Sequence, residues 1–246
     1  MDRMLYVAMN GAKQNMMAQV ANSNNLANVS TPGFREDVVS FRSMPIFGLG
    51  HPTRAYGMAE RPGVNLEPGI LNTTDNPMDI AVDGKGYIAV QSADGTEAYT
   101  RAGNLRVTAA GILLSGKGDP VIGNAGPISL PPASRVEIAT NGTISIIPLG
   151  AENEEFQEIN RIKLVNPPED NLYKSNDGLI RLKEGDFSPA NANVRVVSRT
   201  VENSNVNITD ALVNMIQLSR EFEFHVKMMR EADKQAEKIS QLMRIS

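Results

Sequence analysis

The stretch NITDALVNMIQLSREFEFHVKMMREADKQAEKISQLMRIS, residues 207–246, contains neither glycine nor proline. Asn207 can accept a hydrogen bond from a free N–H of a first helical turn, and Asp210 sets a carboxylate near the positive end of the helix dipole. From that start a 3.5-residue template picks out Ile208, Ala211, Met215, Leu218, Phe222, His225, Met229, Ala232, Ala236, Ile239 and Met243. Only His225 breaks the apolar series. Such a run predicts a helix of roughly 50 Å built to join a coiled coil. Leu212, Val213, Ile216, Phe224, Val226 and Met228 lie outside the seam, so one partner helix does not cover the apolar surface.

Working back to the other end, Leu5, Met9, Ala12, Met16 and Val20 form a matching but weaker stripe. It fades into the polar run Asn22–Asn25, resumes at Leu26 and Val29, and stops at Thr31-Pro32-Gly33, where proline ends a helix and glycine lets the chain turn. Pairing of the two terminal helices brings the chain ends together and extrudes the residues between. Those residues are crowded with turn signals: Asp83-Gly84, Asp94-Gly95, Asn141-Gly142 and Asp177-Gly178. Short strands are expected at 79–82, 87–90, 98–101, 105–108, 112–114, 135–139 and 143–147. Residues 44–70 hold so many glycines and prolines that the reading there is an extended arm or exposed loop. The fold class is therefore α+β: paired terminal helices (1–31 plus 204–246), an arm and connector (32–74 plus 186–203), and a sandwich or irregular barrel-like β domain (75–185).

Composition narrows the function. With 24 Lys plus Arg against 28 Asp plus Glu, the net charge of -4 leaves no basic excess to hold nucleic acid. There is no cysteine and there are two histidines, which removes disulfides and any zinc site of three or four His/Cys ligands. Low aromatic content without tryptophan predicts thin, aliphatic cores. No apolar run reaches the length of a membrane span or a signal-peptide core, so the reading is a soluble, uncleaved protein. His225 with Glu221 one turn earlier is better read as a seam histidine than as a catalytic pair, and His51 in the arm fares no better. Gly116-Lys117-Gly118-Asp119 lacks the ending of a phosphate loop and reads as a strand connection; Asp75, Asp79 and Asp83 read as turn carboxylates. No catalytic, metal or cofactor site is expected.

Three blocks, in order, resemble the bacterial flagellar axial proteins of rod and hook. They are Ser23-Asn24-Asn25-Leu26-Ala27-Asn28 through Phe34-Arg35; Gly69-Ile70-Leu71 through Tyr87, continued by Tyr99-Thr100-Arg101; and Ser204-Asn205-Val206-Asn207 with Leu212–Ile216. The opening Met1-Asp2-Arg3, the 246-residue length and the run Glu221–Met229 are most similar to the proximal-rod members. The resemblance implies export through the flagellar type III apparatus without a cleaved signal. It further implies assembly with copies of the chain and other proximal and distal rod proteins into the rod that crosses the periplasm and transmits motor torque. The assembly interface is then expected at Leu5, Met9, Ala12, Met16, Asn25, Leu26, Asn28, Phe34, Val206, Leu212, Met215, Ile216, Leu218, Phe222, Val226, Met229 and Ile239. The alternative from the residues alone is a coiled-coil-stalked β module, an adhesin-like oligomer.

Overall fold

A computed structural model describes residues 4–45, 55–150, 155–185 and 187–245. They form two long helices and many short, mostly antiparallel strands, an α+β protein. The chain divides into two compact units: Met1–Ala27, Asp37–Gly63 and Asn207–Ser246 make the first, Asn28–Glu36 and Val64–Val206 the second.

The first unit holds helix α1 (Met4–Ala27), strands β1 (Asp37–Pro45) and β2 (Ala55–Val64), which form a two-stranded sheet, and helix α2 (Ile208–Ile245). Asn207 caps α2 as its sequence dictates: its Oδ1 accepts the Thr209 N–H at 3.0 Å and its carbonyl accepts the Ala211 N–H at 3.0 Å. The helices run antiparallel, with Gly11 against His225, Asn15 Nδ2 donating to Glu221 at 3.2 Å and Asn22 Nδ2 donating to the Ala211 carbonyl at 2.8 Å. From Ala211 to Ala232 the face of α2 turned inward is the one its 3.5-residue template selects, whereas Ile208 and Ala236, also in the template, are exposed. Ala211 is buried, and Met215, Leu218, Phe222, His225, Met229 and Ala232 are half-buried.

On α1 the expected stripe is packed only at Ala12, with Leu5 half-buried. Met9, Met16 and Val20 are 54%, 55% and 64% exposed, while Ala8, Ala12, Asn15, Ala18, Ala21 and Asn25 are buried. Close approach of two backbones selects small side chains, and the buried amides are tolerated because they hydrogen-bond. The polar run at 22–25 consequently continues the helix, with Asn22 and Asn25 on its inner side.

The Gly/Pro-rich arm also differs from its reading, for ten residues of it form β2. A two-stranded sheet offers only edges, where proline's missing N–H breaks no ladder. Amide side chains of α1 supply partners. Asn10 Nδ2 donates to the Gly57 carbonyl at 2.6 Å, Gln14 Oε1 accepts the Ala59 N–H at 2.9 Å, and Asn25 exchanges two bonds of 2.9 Å with the backbone of Asp37. His51 lies outside the described residues.

In the second unit the strands are β3 (Leu71–Thr73), β4 (Ile80–Asp83), β5 (Tyr87–Gln91), β6 (Glu97–Thr100), β7 (Arg106–Val107), β8 (Leu113–Leu114), β9 (Ile122–Gly123) and β10 (Gly126–Pro127). They continue as β11 (Ala133–Ile138), β12 (Thr143–Pro148), β13 (Gln157–Arg161), β14 (Leu164–Val165), β15 (Leu172–Lys174), β16 (Ile180–Leu182), β17 (Arg195–Ser198) and β18 (Thr200–Glu202). A five-stranded sheet in the order β14-β5-β6-β16-β15 is accompanied by a three-stranded β11-β12-β13 sheet and the pairs β17-β4, β18-β3, β10-β9 and β7-β8. Three of the four Asp/Asn-Gly turns close hairpins, β5-β6, β11-β12 and β15-β16, with their glycines at φ 81°, 83° and 77°. Asp83-Gly84 instead passes the chain between sheets, from β4 to β5. Residues 116–119 form a tight turn in which the Ser115 N–H donates to the Asp119 carbonyl at 2.8 Å. Strand β5 is buried on both faces: Ile88 and Val90 enter an aliphatic core of Ile, Val, Leu and Ala, while Tyr87 and Ala89 enter a smaller one with Tyr99, Leu172 and Ile180.

Candidate assembly surface

The first unit exposes many of the large apolar side chains of its helices. On α1 these are Tyr6, Met9, Met16, Met17 and Val20; on α2, Ile208, Leu212, Val213, Ile216 and Phe224. On α1 the small-residue seam explains this, since alanine and glycine inside leave methionine and valine outside; on α2 apolar residues simply outnumber the positions of one face. Lys13 is the one charged residue in α1 and is exposed among these side chains, so the outward face of that helix is apolar and amide with a single positive charge. Met17, Val20, Val39 and Ala59, with Glu60, line a groove of about 380 Å³ beside it. Exposed apolar side chains gathered in this way make the helices a candidate contact surface.

The candidate residues fall into three groups. Met9, Met16, Leu212 and Ile216 are exposed. Leu5, Leu26, Asn28, Met215, Leu218, Phe222, Val226 and Met229 are half-buried. Ala12, Asn25, Phe34 and Val206 are buried and are used within the chain: Ala12 in the helix seam, Asn25 on Asp37, and Phe34 under Lys174, whose Nζ lies 3.9 Å from the ring centroid. Ile239 sits in α2 and its side chain lies outside the described residues. The reading by size missed Tyr6 and Met17 on α1; the helical positions left over once the small-residue seam is recognised would have found them.

A second feature was not legible at all. In the second unit the Glu202 carboxylate is fully buried and takes Arg35 on Oε1 at 2.5 Å and Arg101 on Oε2 at 2.9 Å, while the Gly69 N–H also donates to Oε1 at 2.8 Å. Arg101 donates onward to the Gly84 carbonyl at 2.7 Å and lies over the Tyr87 ring. Burial pushes the Arg101 guanidinium below its ordinary value, Glu202 pulls it back up, and the like charge of Arg35 pushes it down. Burial also raises the Tyr87 phenol, against the pull of the two arginines. One carboxylate thus joins the segment that follows α1, the end of β6 and the strand that precedes α2. This is a structural junction; among the described residues no cluster of His, Cys, Asp and Glu could hold a metal ion. No described helix is long and apolar enough to cross a membrane.

Comparison with known proteins agrees with the order of the sequence blocks. Residues 5–35 match the model for flagella basal body rod proteins, 81–146 that for the flagellar hook protein FlgE/F/G D1 domain, and 197–242 that for the flagellar basal body rod FlgEFG protein C-terminal region. Over 252 aligned positions the chain is 38% identical to the flagellar basal-body rod protein FlgF of Escherichia coli K12, and 38% to that of Salmonella typhimurium LT2, with the whole of both chains covered in each case. It is 30% identical to the basal-body rod protein FlgG of Bacillus subtilis 168, over 98% of this chain and 99% of that one. With its full length aligned to such relatives and its beginning, middle and end each matched, the chain belongs to the flagellar rod and hook FlgE/F/G family.

Proposed function

We propose that the chain is a structural subunit of the flagellar basal-body rod, of the proximal-rod type, with no catalytic role. It polymerises with copies of itself and with other rod proteins to form a shaft that transmits torque across the periplasm, after export through the flagellar type III apparatus without a cleaved signal. In the assembled shaft the terminal helices pair as a coiled coil and the Gly/Pro-rich arm reaches adjacent subunits. The observation that carries the reading is the set of large apolar side chains that both helices leave exposed, Met9, Met16, Leu212, Ile216 and their neighbours. A closed monomer has no use for such a surface, whereas a polymer subunit buries it between copies. The full-length likeness to rod proteins supports this over a stalked binding module.

The test is incorporation. Met16→Asp and Ile216→Asp place a charge where the isolated chain is open to solvent, so the variants fold and are exported, yet rods containing them fail to form and cells do not swim. These positions separate assembly from folding better than Met215 or Phe222, which are half-buried in the helix seam. Normal rod assembly by both variants would overturn the proposed interface.

A further inference from the structure

The second unit carries a cleft of about 620 Å³ at one end of its five-stranded sheet, remote in sequence from both helices and not used by the assembly argument. Two aromatic side chains line it with much of their surface exposed, Tyr173 at 43% and Phe187 at 69%, the latter with Lys163 Nζ 5.5 Å from its ring centroid. Four charged side chains complete it, two of each sign: Asp94, Glu97, Lys163 and Arg181. They are held in place by one another. Lys163 Nζ donates to both Glu97 oxygens at 2.8 and 2.7 Å, and Arg181 donates to Asp94 at 3.2 Å as well as to Ser92 Oγ at 2.7 Å and Asp177 at 2.9 Å.

We propose that this cleft binds a neutral saccharide of one or two rings. Its volume suits a small ligand of that size. The wall has no net charge, so an anion or cation would have to displace an existing partner, and an apolar ligand would strand the fixed carboxylates and donors. Hydroxyl groups both donate and accept, which matches a wall offering anchored acceptors beside anchored donors. The C–H faces of a sugar ring pack on the exposed aromatic surface, that of Tyr173 and the part of Phe187 that Lys163 leaves uncovered. The site stands on the β body alone and does not depend on how the helices assemble.

The experiment is titration of the full-length chain, followed by amide NMR shifts, with cellobiose, maltose and N,N′-diacetylchitobiose at millimolar concentration. The expected result is saturable shifts from at least one sugar, confined to residues around 94–97, 163, 173 and 181–187. Phe187→Ala and Tyr173→Ala, both solvent-exposed and therefore folded, each weaken binding by at least about fivefold. Absence of a saturable response to all three sugars overturns the proposal, and so does a response that both alanine variants leave intact. A neutral peptide, acetyl-Ser-Gly-Ser-Gly-amide, is titrated in parallel; saturation by the peptide with the sugars silent would make the cleft a peptide dock and overturn it as well.

Discussion

Glu202 is the residue on which the second unit is most exposed to a single change. Its carboxylate is fully buried and neutralises two arginines that are themselves 2% and 3% exposed, and three of their nitrogens, Arg35 Nε and Nη1 and Arg101 Nε, have no hydrogen-bond partner among the described atoms. Glu202→Gln keeps the shape but leaves two guanidinium charges without a counter-charge, which costs about 3–5 kcal/mol. The expected outcome is a loss of that size in urea unfolding followed by tyrosine fluorescence. Replacing all three residues together with apolar ones of similar volume costs much less, because the desolvation penalty goes with the charges. If Glu202→Gln unfolds at the same urea concentration as the parent chain, the junction is not what holds these segments. The junction escaped the sequence reading for a physical reason: its members are 101 and 167 positions apart, and no local period links them.

At the scale of elements, the two helices differ in how much they reveal. The inner face of α2 is marked by large apolar residues at a 3.5-residue spacing, so the template finds it from Ala211 to Ala232. The inner face of α1 repeats at the same spacing, Ala8, Gly11, Asn15, Ala18, Asn22, Asn25, but in small and amide side chains that a search for hydrophobic bulk passes over. In the β body, strands such as Tyr87–Gln91 announce themselves by continuous apolar runs, whereas Gln157–Arg161 and Thr200–Glu202 are short, polar and defined only by their neighbours. Gly11 shows what close packing demands. A glycine inside a helix is worth about 1 kcal/mol less than alanine, yet a Cβ here would lie 2.4 Å from His225 Cε1 and 2.7 Å from Nε2. Gly11→Ala therefore weakens the helix pair despite its better propensity, and His225→Ala in the same chain makes room again. Swimming in soft agar is the readout: the single variant is impaired and the double variant regains most of the loss. Equal motility of Gly11→Ala and the parent chain would show that the helices do not need this contact.

At the scale of the whole molecule, the two units are built with very different amounts of core. Among the described residues, the fully buried apolar side chains of the first unit are all alanines: Ala8, Ala12, Ala18, Ala21 and Ala211. The second unit buries isoleucine, valine, leucine and tyrosine throughout. A buried methyl group contributes roughly 0.8 kcal/mol, whereas ordering each residue's backbone costs about 1–2 kcal/mol, so an alanine seam with half-buried methionines holds two helices only marginally. In the proposed assembly, contacts with neighbouring subunits would cover Met9, Met16, Leu212 and Ile216 and supply what the isolated chain lacks. The expected behaviour of the purified monomer is thus uneven. Limited proteolysis followed by mass spectrometry should remove residues within 1–31 and 204–246 rapidly while 75–185 resists, and helical circular dichroism should rise on polymerisation. Helices as resistant as the β body, in a monomer that shows no change in helicity on assembly, would mean that the terminal pair is self-sufficient and that its exposed apolar faces are not needed to complete it.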